Sequence, residues 1–228
     1  MARRVIQTAD GSSTIYIEEL NEHYHSKHGA IQEAIHVFIK SGLLFYFEYF
    51  KNKKINIFEI GFGTGLNAFL TLLESRKFNI EINYTGVEAF PVDEKELSAL
   101  NYSEILNEKY SSYFSLIHQS NWNKSEQISK HFNLIKRNQK IEDIDDVNQF
   151  DLIYFDAFGP RVQPELWDEN IFSKMYKALK NNGVIVTYSA NGSVRRAMQT
   201  VGFFVEKLPG PPGKREMLRA IKKAIDQK

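Results

Sequence analysis

A glycine-rich stretch and two carboxylates are the residues whose spacing in this sequence indicates chemistry. The stretch Gly61-Phe62-Gly63-Thr64-Gly65 follows an apolar run, Glu88 ends the next apolar run, and Asp156 ends the later run FDLIYFD. Glycines after a strand let a ligand approach the backbone, because no Cβ lies in the way. A carboxylate at the end of a buried strand can accept hydrogen bonds from a ribose diol or hold a cation. These residues therefore predict a ligand site at one edge of a sheet.

The elements that would position these residues alternate between two hydrophobic periods. Apolar runs typical of strands lie at 55–60, 83–88, 113–118, 150–156 and 183–189. Segments with an apolar residue every three or four positions, typical of helices, lie at 66–75, 93–100 and 169–180. This order predicts an α/β fold, a doubly wound, Rossmann-like and mostly parallel sheet with helices on both faces. Ligands of such sheets bind at the carboxyl ends of the strands, so the glycines and both acids would meet in one cleft.

The two ends of the chain depart from this alternation. Strand-like runs at 203–208 and 215–221 flank a short Pro/Gly connection, which predicts an antiparallel pair at one edge of the sheet. The first residues predict a hairpin that turns at Asp10-Gly11, followed by a long amphipathic helix. We expect one domain, in which residues 1–54 extend a core at 55–228. Two domains are the alternative.

The composition of the chain limits the classes of protein to which it can belong. The chain has 228 residues, no cysteine and a net charge of +1. Without cysteine there is neither a disulfide framework nor a thiolate metal site, so a cytoplasmic location is expected. The N-terminus lacks the apolar run of a secretory signal, and no apolar segment approaches the roughly 20 residues that span a bilayer. A chain so close to neutral would need a local basic patch to bind nucleic acid.

The spacing of the glycines distinguishes between cofactors. The pattern is G-x-G-x-G, and Leu66 occupies the place of the third glycine in the dinucleotide fingerprint. That departure disfavours NAD and FAD, because their pyrophosphate site needs the third glycine for close packing of the helix. A compact nucleoside cofactor without phosphate fits better, with Glu88 on its ribose, and S-adenosyl-L-methionine is the most consistent choice. A purely structural turn is the alternative.

Several motifs together resemble one known family. EIGFGTGLN resembles motif I of the class I S-adenosylmethionine-dependent methyltransferases. GFGTGLN, VEAFP, FDAFGP with the following PELW, SVRRAMQTVGF and GKREML together resemble the methyltransferases of the tRNA wobble-uridine modification pathway. The resemblance implies S-adenosyl-L-methionine as the cofactor and the anticodon stem-loop of tRNA as the partner. It implies methylation of 5-aminomethyl-2-thiouridine to 5-methylaminomethyl-2-thiouridine. Some members are fused to a flavin-dependent oxidase, and without a second glycine fingerprint this chain resembles the stand-alone form.

The resemblance also implies roles for individual residues. In the cofactor site it places Glu59, Gly61, Phe62, Gly63, Gly65, Asn67, Glu88, Asn121, Trp122 and Asp156. Asn121 and Trp122 follow the predicted strand at 113–118, where many relatives carry an acid that binds the adenine amino group. An amide and a stacking indole can do that work. A position in the core is the alternative for Trp122.

Asp156 is the predicted catalytic residue. An amine substrate arrives mostly as an ammonium ion, which has no lone pair with which to attack a methyl group. A carboxylate beside it can hold the cation, accept its proton and orient the nitrogen. Phe158 and Pro160 would then form an apolar wall against the base. The alternative role for Asp156 is to cap the following helix.

Two further groups are candidates for contact with the substrate. Tyr24 and His25 lie in the stretch NEHYHSKHG, which we interpret as a lid, and its three histidines lack the acid or cysteine cluster of a metal site. The basic residues Arg195, Arg196, Lys214 and Arg215 are candidates for binding the RNA backbone. Solvated surface is the alternative for these four residues.

The predicted function is therefore that of an S-adenosyl-L-methionine-dependent tRNA N-methyltransferase. One rival is a methyl- or aminopropyl-transferase that acts on a free small amine and would turn over without RNA. A second rival is a non-catalytic nucleoside- or RNA-binding module, which would bind the cofactor without transferring its methyl group.

Overall fold

The structure is a computed structural model, and it describes residues 2–224. Its strands are β1 (Arg3–Gln7), β2 (Ser13–Ile17), β3 (Glu22–His23), β4 (Lys54–Ile60), β5 (Glu81–Val87), β6 (Ser125–Ser129), β7 (Phe132–Arg137), β8 (Phe150–Phe155), β9 (Leu179–Thr187), β10 (Phe204–Pro209) and β11 (Glu216–Ile221). Its α-helices are α1 (Ala30–Ala34), α2 (Phe45–Phe50), α3 (Leu66–Phe78), α4 (Glu94–Ser98), α5 (Tyr102–Leu106), α6 (Ser111–Gln119), α7 (Glu169–Ala178) and α8 (Gly192–Thr200). A π-helical segment, Ile35–Leu44, joins α1 to α2. None of the helices in residues 2–224 is both long enough and apolar enough to cross a membrane.

The main sheet has eight strands in the order β10-β11-β9-β8-β4-β5-β7-β6. The five strands from β9 to β7 in that order are parallel to one another, whereas β11, β10 and β6 pair antiparallel. From the central β4 the chain first builds the β5 and β7 side and then returns to build β8 and β9. This reversal makes the carboxyl ends of β4 and β8 the switch point, where doubly wound sheets open a cleft. The α/β fold class and the antiparallel C-terminal edge are confirmed.

The predicted strand at 113–118 is wrong, because these residues form α6. Phe114 and Ile117, three positions apart, are buried on one face of that helix, and the Phe114 ring packs on Phe69 of α3. A six-residue apolar run fits either periodicity, so the run alone did not decide between helix and strand. The third parallel strand is instead β7, which pairs with β5 and forms an antiparallel hairpin with β6.

Two predicted helices have different bounds. The segment 93–100 contains only the short α4, which Asp93 caps by accepting a hydrogen bond from the Glu96 backbone amide at 2.7 Å. Residues 169–180 form a helix only as far as Ala178, because β9 begins at the next residue. The strand predicted from residue 183 therefore starts four residues earlier and contains an irregular step in its pairing with β8.

The predicted N-terminal hairpin is present and packs on the start of α1. β1 and β2 pair antiparallel around the turn, and β3 adds a third strand. The carboxylate of Asp10 in the turn accepts a hydrogen bond from the Gln32 backbone amide at 3.0 Å, and the Ser12 hydroxyl accepts one from the Ile31 amide at 3.3 Å. These side chains satisfy amides that a helix N-terminus leaves without partners. The hairpin is thereby fixed to the helix that follows it.

Helices cover the two faces of the main sheet. On one face the π-helical segment, α3 and α6 enclose an apolar cluster that includes Val37, Leu70 and Ile117. On the other face α7 and α8 enclose a second cluster, which includes Phe172 and Met198. Helical residues from the first 54 positions share the first cluster with core strands. The division into an extension at 1–54 and a core at 55–228 stays a prediction.

Candidate functional site

A cavity of about 950 Å³ opens at the carboxyl ends of β4, β5 and β8. Of the predicted site residues, those that line it are Tyr24, His25, Gly61, Gly63, Glu88, Asp156 and Phe158. Further lining residues come from the N-terminal strands, the segment before and within α4, and the segment after β7. The structure therefore brings the glycine loop, both strand-end acids and the predicted lid to one site.

Gly61 and Gly63 give the loop after β4 its shape. Their φ angles are +84° and +49°, a backbone region that side chains rarely allow. A Cβ at Gly61 would lie 2.6 Å from the Asp156 carbonyl oxygen, so only glycine lets the loop approach the end of β8. A Cβ at Gly63 would lie 3.0 Å from the Tyr24 ring, in the space between loop and lid. The loop thus forms a cradle that faces the cavity with backbone alone.

Glu88 lies beside the glycine loop and forms part of the wall of the cavity. One carboxylate oxygen accepts a hydrogen bond from the Gly63 amide at 3.0 Å, and the other accepts one from the Phe90 amide at 2.9 Å. A carboxylate offers about four lone-pair sites, so these two bonds leave acceptors for a diol. The side chain is fixed in place before any ligand arrives.

Asn67 links Asp156 to a second acid behind the loop. Its side-chain amide donates to Glu59 Oε1 at 2.8 Å and to Asp156 Oδ2 at 2.9 Å. Glu59 is fully buried and does not line the cavity, whereas Asp156 keeps part of its side chain open to it. Glu59 and Asn67, both predicted as cofactor contacts, therefore lie behind the loop and hold the residue that faces the cavity.

The environment of both acids favours their neutral forms. Burial raises the pKa of Asp156 well above its usual range, and the Glu33 and Glu59 carboxylates add to that rise. The hydrogen bond from Asn67 and the Lys214 ammonium oppose it. Burial likewise raises the pKa of Glu59 to about 8. Protons on these two carboxyl groups are therefore stable where ordinary carboxyl groups would be ionised.

The predicted lid is attached to the glycine loop. His25 Nε2 lies 2.7 Å from the Thr64 hydroxyl, and burial lowers the pKa of His25 to about 4, so the imidazole is neutral. The Tyr24 ring meets the edge of Phe158 at a centroid distance of 5.2 Å, and together they form one aromatic wall of the cavity. His25 therefore anchors the lid, and Tyr24 is the residue of the pair that shapes the open space.

Asn121 and Trp122 do not line the cavity. Asn121 donates its side-chain amide to Glu126 at 2.7 Å, and the Trp122 ring packs 6.2 Å from the ring of Phe62, a buried residue. Their predicted place, at the end of a third core strand, was wrong because residues 113–118 are helical. Gly65 also turns away from the cavity, since a Cβ there would meet the His118 ring at 3.0 Å.

The segment after the true third parallel strand supplies residues that the sequence interpretation missed. Gln139, Lys140, Ile141 and Glu142 line the cavity where the predicted adenine contacts were expected. Alternating burial along β7 explains the strand, because Phe132 and Leu134 are fully buried between less buried neighbours. The sequence itself does not alternate in this way, because the charged Lys136 occupies a buried position and the apolar Ile135 a less buried one, so no period-two signal was available.

The basic candidates lie in different environments. Arg196 and Arg215 are exposed, and Arg195 is half-buried on α8. Lys214 is not a free surface charge, because its ammonium lies 2.6 Å from Glu33 and 3.7 Å from the centre of the Tyr188 ring.

Other features complete the surroundings of the cavity. Arg3 and Arg4, which the sequence interpretation missed, line its mouth from β1. Pro160 is partly exposed in the loop after β8 and does not line the cavity. Within residues 2–224, no group of three or more His, Asp or Glu side chains could hold a metal ion.

Comparison with known proteins gives one family. The family model described as S-adenosyl-L-methionine-dependent methyltransferase matches residues 100–223. The tRNA 5-methylaminomethyl-2-thiouridine biosynthesis bifunctional protein MnmC of Leptospira interrogans is 31% identical over 212 residues. The protein of the same name from Hydrogenovibrio crunogenus is 27% identical over 208 residues. These alignments cover 88% and 85% of this chain but 32% and 30% of the relatives, so the chain spans about a third of their length.

Solved structures agree with the fold. The crystal structure of MnmC2 from Aquifex aeolicus superposes with a TM-score of 0.79 at 25% identity, covering 98% of this chain and 71% of that one. Spermidine synthase from Thermotoga maritima superposes with a TM-score of 0.55 at 17% identity, covering 98% and 74% of the two chains. The second likeness shows the fold alone.

Proposed function

The chain belongs to the family of S-adenosyl-L-methionine-dependent methyltransferases, and from that premise we propose that it methylates an amine on tRNA. The proposed reaction converts 5-aminomethyl-2-thiouridine to 5-methylaminomethyl-2-thiouridine at the wobble position. The names of the relatives support this substrate. The observation that carries the proposal is the position of Asp156, which is partly open to the cavity beside the glycine cradle and is held there by Asn67.

S-adenosyl-L-methionine is the cofactor of this family, and the residues at the cavity fit it. Gly61 and Gly63 leave the space that side chains would fill, and Glu88 offers carboxylate oxygens at the end of β5. When bound, the cofactor supplies an electrophilic methyl group on a sulfonium. We assign the ribose to Glu88 and the adenine side to residues 139–142, because both line the same cavity.

Asp156 is the proposed proton acceptor. A carboxyl group with a raised pKa is a stronger base than an ordinary one, so it is better matched to a substrate ammonium near neutral pH. The positive charge of the arriving amine favours the ionised form of Asp156. The carboxylate then holds the ammonium, takes its proton and leaves a lone pair on the nitrogen. Oδ2, fixed by Asn67, keeps the group aligned during these steps.

Tyr24 and Phe158 form the proposed wall for the uracil ring. Their rings meet at the cavity, and the Phe158 carbonyl accepts a hydrogen bond from the Trp167 indole at 2.7 Å, which stiffens the loop after β8. A base flipped against this wall would be shielded from water, and enzymes that modify bases commonly extrude them in this way. Water exclusion strengthens the charge interaction between Asp156 and the amine.

The anticodon stem-loop is the proposed partner. Arg195, Arg196 and Arg215 remain the candidates for phosphate contact outside the cavity, and Arg4 adds a charge at its mouth. Contacts to phosphates contribute affinity that falls with salt concentration and carry no sequence information. We propose that base recognition lies in the cavity and that these arginines orient the RNA. The cytoplasmic location stays a prediction.

The decisive test supplies the cofactor and defined acceptors. Labelled S-adenosyl-L-methionine is incubated with the protein and tRNA from a strain that lacks the gene, and the methylated nucleoside is identified by mass spectrometry. We expect label only in 5-methylaminomethyl-2-thiouridine, and much slower labelling with the Asp156→Asn variant. Label in a free small amine without RNA would support the transferase rival. Cofactor binding without any transfer would support the binding-module rival.

A further inference from the structure

Glu33 and Lys214 form an ion pair close to the cavity, although 181 positions separate them. The Glu33 side chain, on α1, is almost fully buried, and its Oε1 lies 2.6 Å from the Lys214 ammonium. Lys214 belongs to the connection between β10 and β11, and its ammonium also lies 3.7 Å from the centre of the Tyr188 ring. The Lys214 side chain is 32% exposed, so the pair is buried on the Glu33 side, and removing Lys214 would leave the Glu33 carboxylate buried without a cation.

The Glu33–Lys214 ion pair also holds the predicted lid, residues 21–29, in place. Glu33 Oε2 accepts a hydrogen bond from the Ser26 backbone amide at 2.8 Å, one residue after the His25 that contacts the glycine loop. A side chain at Gly213, the neighbour of Lys214, would collide with the His28 ring. The connection between β10 and β11 therefore holds the segment 25–33 against the cavity from outside.

Tyr188 links this pair to the end of β8: its ring lies under the Lys214 ammonium, and its hydroxyl donates to the carbonyl of Ala157, the residue after Asp156, at 2.8 Å. The titratable groups whose charges act on Asp156, or are acted on by it, are Glu33 on α1, Glu59 on β4, Tyr84 on β5, Tyr188 after β9 and Lys214. Glu33 and Glu59 disfavour an ionised Asp156, and Lys214 favours it. Among these groups Lys214 is the only cation, so its charge offsets the two acids that oppose ionisation.

We propose that Glu33 and Lys214 are positioning residues for Asp156, an ion pair that holds the lid closed and balances the charge beside the catalytic carboxyl group. The proposal rests on the proposed function for the role of Asp156. It assigns Lys214 to the interior of the site and removes it from the candidates for RNA contact. Arg215, which is exposed beside it, remains such a candidate.

The test varies the two charges separately and together. Lys214→Met leaves Glu33 uncompensated, so the pH midpoint of the single-turnover rate should rise and the rate at neutral pH should fall on the order of tenfold. Glu33→Gln removes a negative charge, so the midpoint should fall. The double variant removes both charges, so its midpoint should return close to wild type. Lys207→Met is the matched control, because Lys207 pairs with Glu216 on the same hairpin and should leave the midpoint unchanged.

A second readout needs no RNA. Carbon-13 NMR of protein labelled at the aspartate carboxyl carbons follows the titration of Asp156, whose signal is assigned by its loss in Asp156→Asn. The same order of midpoints, highest in Lys214→Met and lowest in Glu33→Gln, is expected there. If wild type failed to methylate tRNA while this order held, the proposed function would fail and the charge pair would stand. If neither single variant shifted the pH midpoint, the proposed role of the ion pair would be wrong. The same conclusion would follow if Lys214→Met changed only the KM for tRNA. Glu33→Gln preserves side-chain size and tests the pair even if Lys214→Met does not fold.

Discussion

As the proposed proton acceptor, Asp156 has to meet two requirements that conflict in most carboxylates. It must be basic enough to take a proton from an ammonium ion, and it must stay oriented while its charge changes. Burial raises the pKa of Asp156 and supplies the basicity, whereas the amide of Asn67 supplies the orientation. Because Asn67 also binds Glu59, the orientation is fixed from behind the cavity and leaves the open side of Asp156 for substrate.

Asp156→Asn removes the charge and keeps the shape. The methyl-transfer rate should fall by about 10²–10⁴-fold, with a much smaller loss of cofactor affinity. Raising the pH should recover part of the rate, because more of the substrate amine is then neutral without help. Single-turnover assays with enzyme in excess over tRNA separate the chemical step from binding. A wild-type rate at neutral pH would reduce Asp156 to a structural cap, and loss of cofactor binding would move its role to the cofactor's own ammonium group.

Glu88→Ala tests the wall beside the glycine loop. The affinity for S-adenosyl-L-methionine should weaken by roughly 1.5–3 kcal/mol, the range for hydrogen bonds to a charged group. Part of that loss reflects the Gly63 and Phe90 amides, which lose their acceptor. Titration calorimetry measures the change, with Glu94→Ala, exposed on α4, as the control. Equal affinities in both variants would remove Glu88 from the cofactor site.

At the scale of elements, the glycine loop works because it joins β4 to α3 without side chains facing the cavity. Gly63→Val would place a branched side chain at a φ of +49° and within contact of Tyr24. Cofactor binding should be lost in calorimetry, while thermal unfolding remains cooperative. Gly192→Ala serves as the control, because only the flexible end of Arg196 lies near a Cβ at that position. If Gly63→Val bound S-adenosyl-L-methionine with unchanged affinity, the glycine loop would not be part of the cofactor site.

Elements with a strong period were predictable, and those set by distant contacts were not. β4 and β8 are mostly apolar because both faces are buried, so the sequence placed Gly61 and Asp156 correctly after them. The short run that became α6 carried no such signal, so Asn121 and Trp122 were wrongly placed at the end of a strand. The pairing of Lys214 with Glu33 depends on the packing of the completed fold. Neither segment has a local sequence pattern that would predict this ion pair.

At the scale of the whole molecule, buried acids make stability depend on pH. The pKa of Glu59 rises to about 8 on folding through burial. A carboxyl group with a higher pKa in the folded protein stabilises it fully at low pH, and this contribution is lost as the pH rises through the folded value. His25 acts in the opposite direction at lower pH, because burial lowers its pKa to about 4 and the unfolded chain takes up the proton first.

Glu59→Gln removes the contribution of this acid together with its effect on the pKa of Asp156. The free energy of unfolding of the ligand-free wild type should fall between about pH 5 and pH 8 relative to that of the variant, which cannot ionise at this position. The histidine contribution is common to both proteins and cancels in the difference. Urea unfolding at a series of pH values measures the two curves. Parallel curves over that interval would show that Glu59 does not ionise there.

The position of β11 has a consequence for synthesis of the protein. It is the final strand of residues 2–224, yet it lies between β9 and β10. Until residues 216–221 have left the ribosome, β9 presents an open edge and β10 has no partner in the sheet. Such an edge is a template for unwanted pairing with other chains. The side of the sheet next to Asp156 is thus completed only when β11 has been made, after every other strand in residues 2–224.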